Sequence, residues 1–315
     1  MSKILVGIIG FGNIGKKRLD SVYKLNKLAE VKVICEKKKI KEKFKKITVI
    51  NDVRKIENYN LDLLIICTPT DISKKIYTQF VGKYHLLVEK PITLNSNDLL
   101  KNIKRSSNKR KLIKAGYNLK YDSGLNCIKE KLNSNFIGKI YYCKISYANG
   151  TAKSNSNNVG SIFDMASHSI NLLMWLFNSK ELKIINSSNQ KNEFSKNNFD
   201  NGFAILKAKD VLINLHHGFC NWKNTFSLEI YGEKGSLKAH SLPKWGNQTL
   251  LYEKRVLPSG NPKVKIKNFK SDLSFKNELQ SLLETIRNIR NKKNDIIKEI
   301  NYESYYTLKN SILLK

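Results

Sequence analysis

The sequence predicts a doubly wound parallel α/β domain followed by an α+β domain with a mostly antiparallel sheet. Three observations predict it. The β-branched apolar run KILVGIIG (3–10) passes directly into GFGNIG (10–15) and then into a helical stretch. Short apolar strands and amphipathic segments alternate from there to about residue 118, the rhythm of a parallel sheet covered on both faces by helices. Beyond that point the period changes to long apolar–polar alternations, which fit antiparallel strands. At 315 residues the chain exceeds what one core comfortably fills, so two domains are expected, 1–118 and 119–315.

Each element follows from its own pattern. Residues 3–10 form a strand buried on both faces, because the apolar run is unbroken rather than alternating. A helix follows over 16–28, and EVKVICE (30–36) reads as the second strand. TVIND (48–52) is a candidate third strand, and LDLLIICTP (61–69) a fourth, stopped by proline. A helix over 71–82, a strand at HLLVEKP (85–91), a helix over 95–107 and a strand at KLIKAGYN (111–118) complete the first domain. In the second, a helix over 121–133 precedes the stretches 139–149, 203–219, 226–240 and 249–257, read as strands with GEKG as a turn. The Asn/Ser-rich segments 153–158 and 187–201 read as loops, and 275–290 and 302–314 as amphipathic helices.

Composition narrows the function classes. Hydrophobic residues at 41% and charged residues at 26% are ordinary for a soluble globular protein, whereas a net charge of +31 is not. Such a balance suits nucleic acid only if the charge is gathered into a patch. Here 27 Lys+Arg against 10 Asp+Glu in 1–118 give +17, and the remaining +14 lies in 119–315. The densest run, EKKKIKEKFKK (36–46), lacks a series of interleaved aromatics, so a solvated surface is the reading preferred over a nucleic-acid interface. A positive field of this kind favours an anionic small substrate.

The five cysteines (35, 67, 127, 143, 220) form no CxxC pair and no metal spacing, and no metal is expected. Cys67 reads as a buried strand residue, and free thiols point to a reducing cytoplasm. The apolar N-terminus runs into glycines and KKR without a cleavage site, so it is not read as a signal peptide. No apolar run reaches the length of a membrane span.

Two stretches carry chemistry. In GFGNIG, Gly10 permits a tight turn, Gly12 lets backbone approach a pyrophosphate, and Gly15 lets the helix pack close to the strand. Phe11, Asn13 and Ile14 fill the same loop, and the phosphates would meet the positive end of the helix. Glu36 lies 21 residues after Gly15, where a carboxylate accepts the adenosine ribose hydroxyls and repels a 2′-phosphate. This favours NAD, while Lys37, Lys38 and Lys39 keep NADP open. In IFDMASHSIN (162–171), Asp164 and His168 stand four apart on one face of a helix turn. Alone, Asp164 reads as a helix cap and His168 as a packed core histidine; together they suit a proton-transfer site. His216 and His217, alternating in a strand, read as structural or substrate-lining.

GFGNIG, CTPT, VEKP and DMASHSIN, in that order, resemble the Gfo/Idh/MocA oxidoreductases, a family named for glucose–fructose oxidoreductase and inositol dehydrogenase. The likeness runs over nearly the whole chain. It implies a Rossmann domain and a C-terminal domain whose open, mostly antiparallel sheet carries a homodimer or homotetramer interface. It implies that Thr68 and Pro69 line the cofactor, and that Glu89 and Lys90 sit near the nicotinamide ribose and the substrate. Lys90, Asp164 and His168 match the family's catalytic set, with His168 the proton-transfer residue. Tyr117 and Asn118 match a cleft-lining segment, and Asn171 stands where a substrate-binding aspartate is frequent. Arg18 and Ser73 occupy positions where the family often has histidine, and Met174 one where it often has arginine.

The resulting expectation is an NAD(P)-dependent enzyme moving a hydride between nicotinamide and a secondary alcohol carbon of a sugar or nucleotide sugar, in bacterial surface-polysaccharide or unusual-sugar synthesis. Histidine suits the accompanying proton because its ordinary pKa lies near neutrality. Two alternatives stand beside it: an NAD-recycling glycosidase of the same family, and a non-catalytic NAD or sugar sensor. The loops 150–160 and 241–249 are expected to set specificity.

Overall fold

The computed structural model describes residues 2–150, 159–192, 194, 198–290 and 296–315. The chain begins with β1 (Ile4–Ile9), α1 (Asn13–Lys24), β2 (Ala29–Cys35), β3 (Thr48–Ile50) and β4 (Leu63–Ile66). It continues through α2 (Thr70–Phe80), β5 (His85–Val88), α3 (Ser96–Asn108), β6 (Ile113–Ala115) and α4 (Ser123–Asn133). Next come β7 (Ile140–Ala148), α5 (Ser167–Leu176), β8 (Lys183–Gln190), β9 (Asn201–Ala208) and β10 (Val211–Gly218). The rest is β11 (Thr225–Gly232), β12 (Gly235–His240), β13 (Gln248–Lys254), β14 (Lys263–Phe269), α6 (Ser274–Arg290) and α7 (Ile297–Ile312). Two units result: Met1–Asn118 with Phe275–Tyr305, and Leu119–Ser274 with Tyr306–Lys315. Residues 275–290 and 296–305, assigned from sequence to the second domain, thus pack in the first.

The first unit is a six-stranded parallel sheet in the order β3-β2-β1-β4-β5-β6. The order reverses between β1 and β4, and ligands of such sheets bind at the carboxyl ends of the strands beside that switch. Ile4, Val6 and Ile8 are fully buried and cluster with Leu19 and Val22 of α1 and with Leu279, Leu283 and Ile286 of α6. Each such side chain contributes about 1.5–3 kcal/mol on burial. This explains the return of α6: its apolar stripe covers a sheet face that α1 alone leaves open. At the far edge, Asn301 Oδ1 accepts the Ile113 N–H at 2.7 Å and Ser304 Oγ the Ala115 N–H at 3.0 Å. These bonds blunt a sheet edge that would otherwise offer free donors.

The second unit is an eight-stranded sheet in the order β14-β13-β12-β11-β7-β10-β9-β8. Every neighbouring pair is antiparallel except β7 with β10. Ile145, Leu215, Leu228, Ala239 and Leu250 line the buried face of successive strands. On the opposite face Phe203, Leu212, Val264 and Ile266 are exposed.

Several expectations change. The loop expected over 187–201 is in part strand: β8 runs to Gln190 and pairs with β9. Its KIINSSNQ sequence is polar because it is an edge strand, so composition alone suggested a loop. β14, exposed along nearly its whole length and rich in lysine, escaped notice for the same reason. The stretch 203–219 is a hairpin, β9 and β10, turning through Lys209 at φ 53°. Cys67 lies one residue beyond β4 and is half-buried rather than within the strand. The expected loop over 153–158 lies outside the described residues.

Candidate active site

In the first unit the chain after β1, β2 and β4 meets at the glycine loop. β1 ends in Gly10, whose φ of +87° suits glycine; a Cβ there would meet the Cys67 carbonyl carbon at 2.9 Å. A Cβ on Gly15 would collide with the Gly10 carbonyl oxygen, so helix and loop approach this closely only without one. Gly12 is the opposite case. It caps α1 without any side-chain bond, and a Cβ built on it meets nothing within 4 Å. The amides at the start of α1, with Asn13 exposed and Ile14 half-buried, therefore face open space. That is the environment in which a helix N-terminus holds a phosphate.

Glu36, immediately after β2, grips this loop. Its carboxylate accepts the Phe11 N–H at 2.7 Å and the Lys38 N–H at 3.0 Å. Partial burial opposes its charge, but the amides of Phe11, Lys38 and Lys37 outweigh burial and hold the carboxyl below its ordinary range. The following segment returns over the loop: Phe44 packs edge-on against Phe11 at 5.7 Å, and Lys16 pairs with Glu42 at 2.5 Å. After β4, the buried Thr68 Oγ1 has no hydrogen-bond partner, and the exposed Pro69 begins α2 without a side-chain cap. An orphaned hydroxyl, an open helix end and a carboxylate at the next strand tip together fit a dinucleotide.

After β5, Glu89 is held from behind. Arg18 of α1 donates to Glu89 Oε1 through Nε at 2.8 Å and Nη2 at 2.5 Å, and through Nη1 to Glu278 Oε2 of α6 at 2.6 Å. Arg18 is wholly buried and its guanidinium lies over the Phe275 ring at 4.6 Å. Burial disfavours its charge, but Glu89 and Glu278 reverse this and push its pKa far above the ordinary arginine value. Gly116 completes the arrangement, since a Cβ there would stand 2.7 Å from Arg18 Nη2 and 3.0 Å from Glu89 Oε2. Lys90 is half-buried next to Glu89, and Tyr117 and Asn118 are buried at the end of β6.

The second unit carries Asp164 and His168. The helix starts before Asp164, and Ile162–Ala166 form a π-helical turn leading into α5. Asp164 therefore lies inside a helix and is not its cap. The wider turn inserts an extra residue and re-aims the side chains around it, a feature frequent at functional sites. Asp164 is half-buried; His168 is 6% exposed and packs edge-to-face with Tyr147 of β7 at 5.6 Å. Lys129 of α4 fixes the other end of α5, donating to the Trp175 carbonyl at 2.7 Å, the Leu176 carbonyl at 3.0 Å and Asn178 Oδ1 at 2.8 Å. Asn171 of α5 donates to Thr307 Oγ1 of α7 at 3.0 Å, with both residues buried.

His216 and His217 have structural surroundings. His216 sits between Ser146 Oγ at 2.8 Å and Asn201 Oδ1 at 3.0 Å, and stacks on Phe203 at 4.5 Å. His217 reaches Ser161 Oγ at 3.0 Å, and burial, helped by His216, lowers its pKa to about 3. Among the described residues no group of three or more His, Cys, Asp or Glu is placed to hold a metal, and no helix is long and apolar enough to cross a membrane.

Two groups escaped sequence reading. The Arg18–Glu89–Glu278 triad joins residues up to 260 apart, and only the arginine at a usual histidine position hinted at it. Lys244 and Trp245, in a turn after β12, join Tyr147: Lys244 Nζ donates to the Tyr147 hydroxyl at 2.9 Å, and Trp245 stacks on the ring at 5.7 Å. They fall within the 241–249 loop expected to set specificity.

Two family models match the chain. One, described as an oxidoreductase family with an NAD-binding Rossmann fold, covers residues 4–117; the other, a GFO/IDH/MocA C-terminal domain, covers residues 126–238. An inositol 2-dehydrogenase/D-chiro-inositol 3-dehydrogenase of Lacticaseibacillus casei is 26% identical over 260 residues, 77% of this chain and 73% of that protein. A glucose-6-phosphate 3-dehydrogenase of Bacillus subtilis is 24% identical over 263 residues, 75% of this chain and 74% of that protein. A 3-ketoreductase from Actinomadura kijaniata, solved with NADP and TDP-benzene, superposes with a TM-score of 0.81 at 15% identity, covering 98% of this chain and 96% of that one. A dehydrogenase from Bordetella pertussis, solved with NADH and UDP-GlcNAcA, gives a TM-score of 0.78 at 15% identity, covering 99% and 96%.

Proposed function

The chain belongs to the Gfo/Idh/MocA family of NAD(P)-dependent oxidoreductases, and we propose that it interconverts a secondary alcohol and a ketone on a sugar or nucleotide sugar. The observation that carries this reading is the open, uncapped end of α1 at Gly12, in a chain that also keeps Lys90, Asp164 and His168. A bound nicotinamide dinucleotide would supply the hydride chemistry.

The chain's own residues do the rest. Gly10 to Gly15 and the α1 amides bind the pyrophosphate, Glu36 the adenosine ribose, and Thr68 and Pro69 border the dinucleotide. The Glu36 charge makes NAD the preferred form. Arg18 holds Glu89, and so fixes the strand end from which Lys90 projects. Lys90 donates to the reacting oxygen and stabilises its developing negative charge. His168 takes the alcohol proton in oxidation and returns it in reduction, with Asp164 orienting the ring or a neighbouring hydroxyl.

The sugar class rests on the relatives, which are named for inositols and a sugar phosphate and, at the level of fold, include a protein solved with TDP-benzene and one solved with UDP-GlcNAcA. The cationic surface agrees with a nucleotide-sugar diphosphate, as in surface-polysaccharide or unusual-sugar synthesis. Exposed Phe203, Leu212, Val264 and Ile266 support self-assembly through the open sheet face. The test is a panel of inositols, sugar phosphates and nucleotide sugars, with NADH absorbance followed in both directions. Turnover abolished by His168→Ala supports the reading. Glycoside cleavage without net NADH would assign the recycling reaction instead, and undiminished turnover in His168→Ala would end the proposal.

A further inference from the structure

Tyr147 is enclosed on several sides. Trp245 stacks on its ring, Phe226 meets it at 6.0 Å, and His168 packs against it edge-to-face. Its hydroxyl is reached by Lys244 Nζ, which also lies 4.6 Å from the Trp245 ring centre. An ammonium has three donors, and among the described residues Tyr147 is the hydrogen-bond acceptor that Lys244 reaches. Three carboxylates act on the same ammonium from separate elements: Asp272 before α6, Asp164 in the π turn and Asp122 at the start of α4. Two of these are tied locally. Asp122 accepts the Leu125 N–H at 3.0 Å, and Asp272 accepts the Ser274 N–H at 3.0 Å and its hydroxyl at 2.6 Å.

We propose that Lys244 is a positioning residue for the Asp164–His168 pair: it anchors the Tyr147 ring on which His168 packs and places a positive charge beside that ring. A positive charge near an imidazole disfavours its protonated form, and only the neutral ring can accept a proton from an alcohol. Burial lowers the proton affinity of Lys244, and Asp272, Asp164 and Asp122 oppose the effect. Other titratable groups bear on the same helix. They are Lys120 and Tyr121 in the turn packed on α5, His217 against Ser161, and Lys315, whose ammonium lies 4.9 Å from the Phe163 ring centre. Lys244 donates to the Tyr147 hydroxyl, so its removal changes both ring and charge.

The proposal rests on His168 as the proton carrier, yet its test needs no substrate. The protein contains five histidines, so carbon-13 labelling of histidine gives few ring signals, and loss of one in His168→Gln assigns it. The His168 signal is titrated in wild type, Lys244→Met, Lys244→Arg and Tyr147→Phe. Lys244→Met should raise the midpoint by at least about half a pH unit, and Lys244→Arg should restore it, since arginine keeps the charge. Tyr147→Phe, which keeps the ring and loses the anchor, should give a smaller rise. Lys244→Gln provides the same reading if the methionine variant fails to fold. An unchanged midpoint in both neutral variants, or an equal rise in Lys244→Arg, would overturn the proposal. Such a failure would leave NADH-coupled turnover untouched, whereas absent turnover with the expected titration would remove the enzymatic reading and keep the coupling.

Discussion

Arg18 directs two N–H donors at one carboxylate oxygen of Glu89, at 2.8 Å and 2.5 Å, and so joins the helix of the glycine loop to the strand end that bears Lys90. Its third bond, to Glu278 at 2.6 Å, brings α6 into the same contact. A guanidinium buried between two acids is a poor source of net stability but a strong determinant of geometry, because removing one partner strands the others.

Arg18→Met is therefore expected to cost about 3–5 kcal/mol, the range for breaking a buried ion pair from one side. Urea unfolding would measure it, and Arg18→Met/Glu278→Gln should recover part of the loss. Lysine at this position would not restore the two-bond grip on Glu89. A similar loss in the single and double variants would refute the coupling.

Two glycines should respond in opposite ways. Gly116→Ala would push a methyl group against Arg18 and Glu89, with an expected loss of about 1–3 kcal/mol. Gly12→Ala meets nothing in the protein and should leave the unfolding midpoint nearly unchanged. Its effect should appear in NADH binding, weakened by about tenfold or more where the backbone must approach a pyrophosphate. Fluorescence titration with NADH checks this, and unaltered binding would count against the cradle.

Stability should fall on acidification between about pH 6.5 and pH 3. Burial lowers the His85 pKa to about 3, as it does for His217. Their folded pKa values are depressed, so in this window the unfolded chain binds more protons and gains stability relative to the native state. Each histidine contributes a slope of about 1.4 kcal/mol per pH unit at most. Urea midpoints at pH 7.5, 6 and 5 should decline accordingly, with a shallower decline in His217→Gln.

Glu36→Gln should shift cofactor preference. The Phe11 and Lys38 amides favour its charged carboxylate, and the proposed ribose position would set that charge against a 2′-phosphate. Removing that charge while Lys37, Lys38 and Lys39 remain should move the NADP-to-NAD ratio of kcat/KM toward NADP by about tenfold or more. An unmoved ratio would place the ribose away from Glu36.

Much of the first unit was legible because its signals are local. KILVGIIG needs only its apolar continuity to read as a covered strand, and Gly10, Gly12 and Gly15 state their reasons within six residues. β8 and β14 were missed because an edge strand has few apolar partners to satisfy, so its sequence resembles a loop. The Asp164–His168 spacing was visible as well, but not the π turn beneath it, which depends on how the helix packs rather than on residue type.

The sequence by itself determined the alternation that builds the dinucleotide domain, the glycine loop with its acid, and the residue types available for proton transfer. Only the tertiary structure decided what supports them. Glu278 meets Arg18 across 260 residues, Lys244 meets Tyr147 across 97, and Asn171 meets Thr307 across 136. Periodicity and turn chemistry act over a few residues and leave a trace in the chain. A buried charge finds its partner through the return of distant elements to one core, and that choice is written in packing and desolvation, not in any short stretch of sequence.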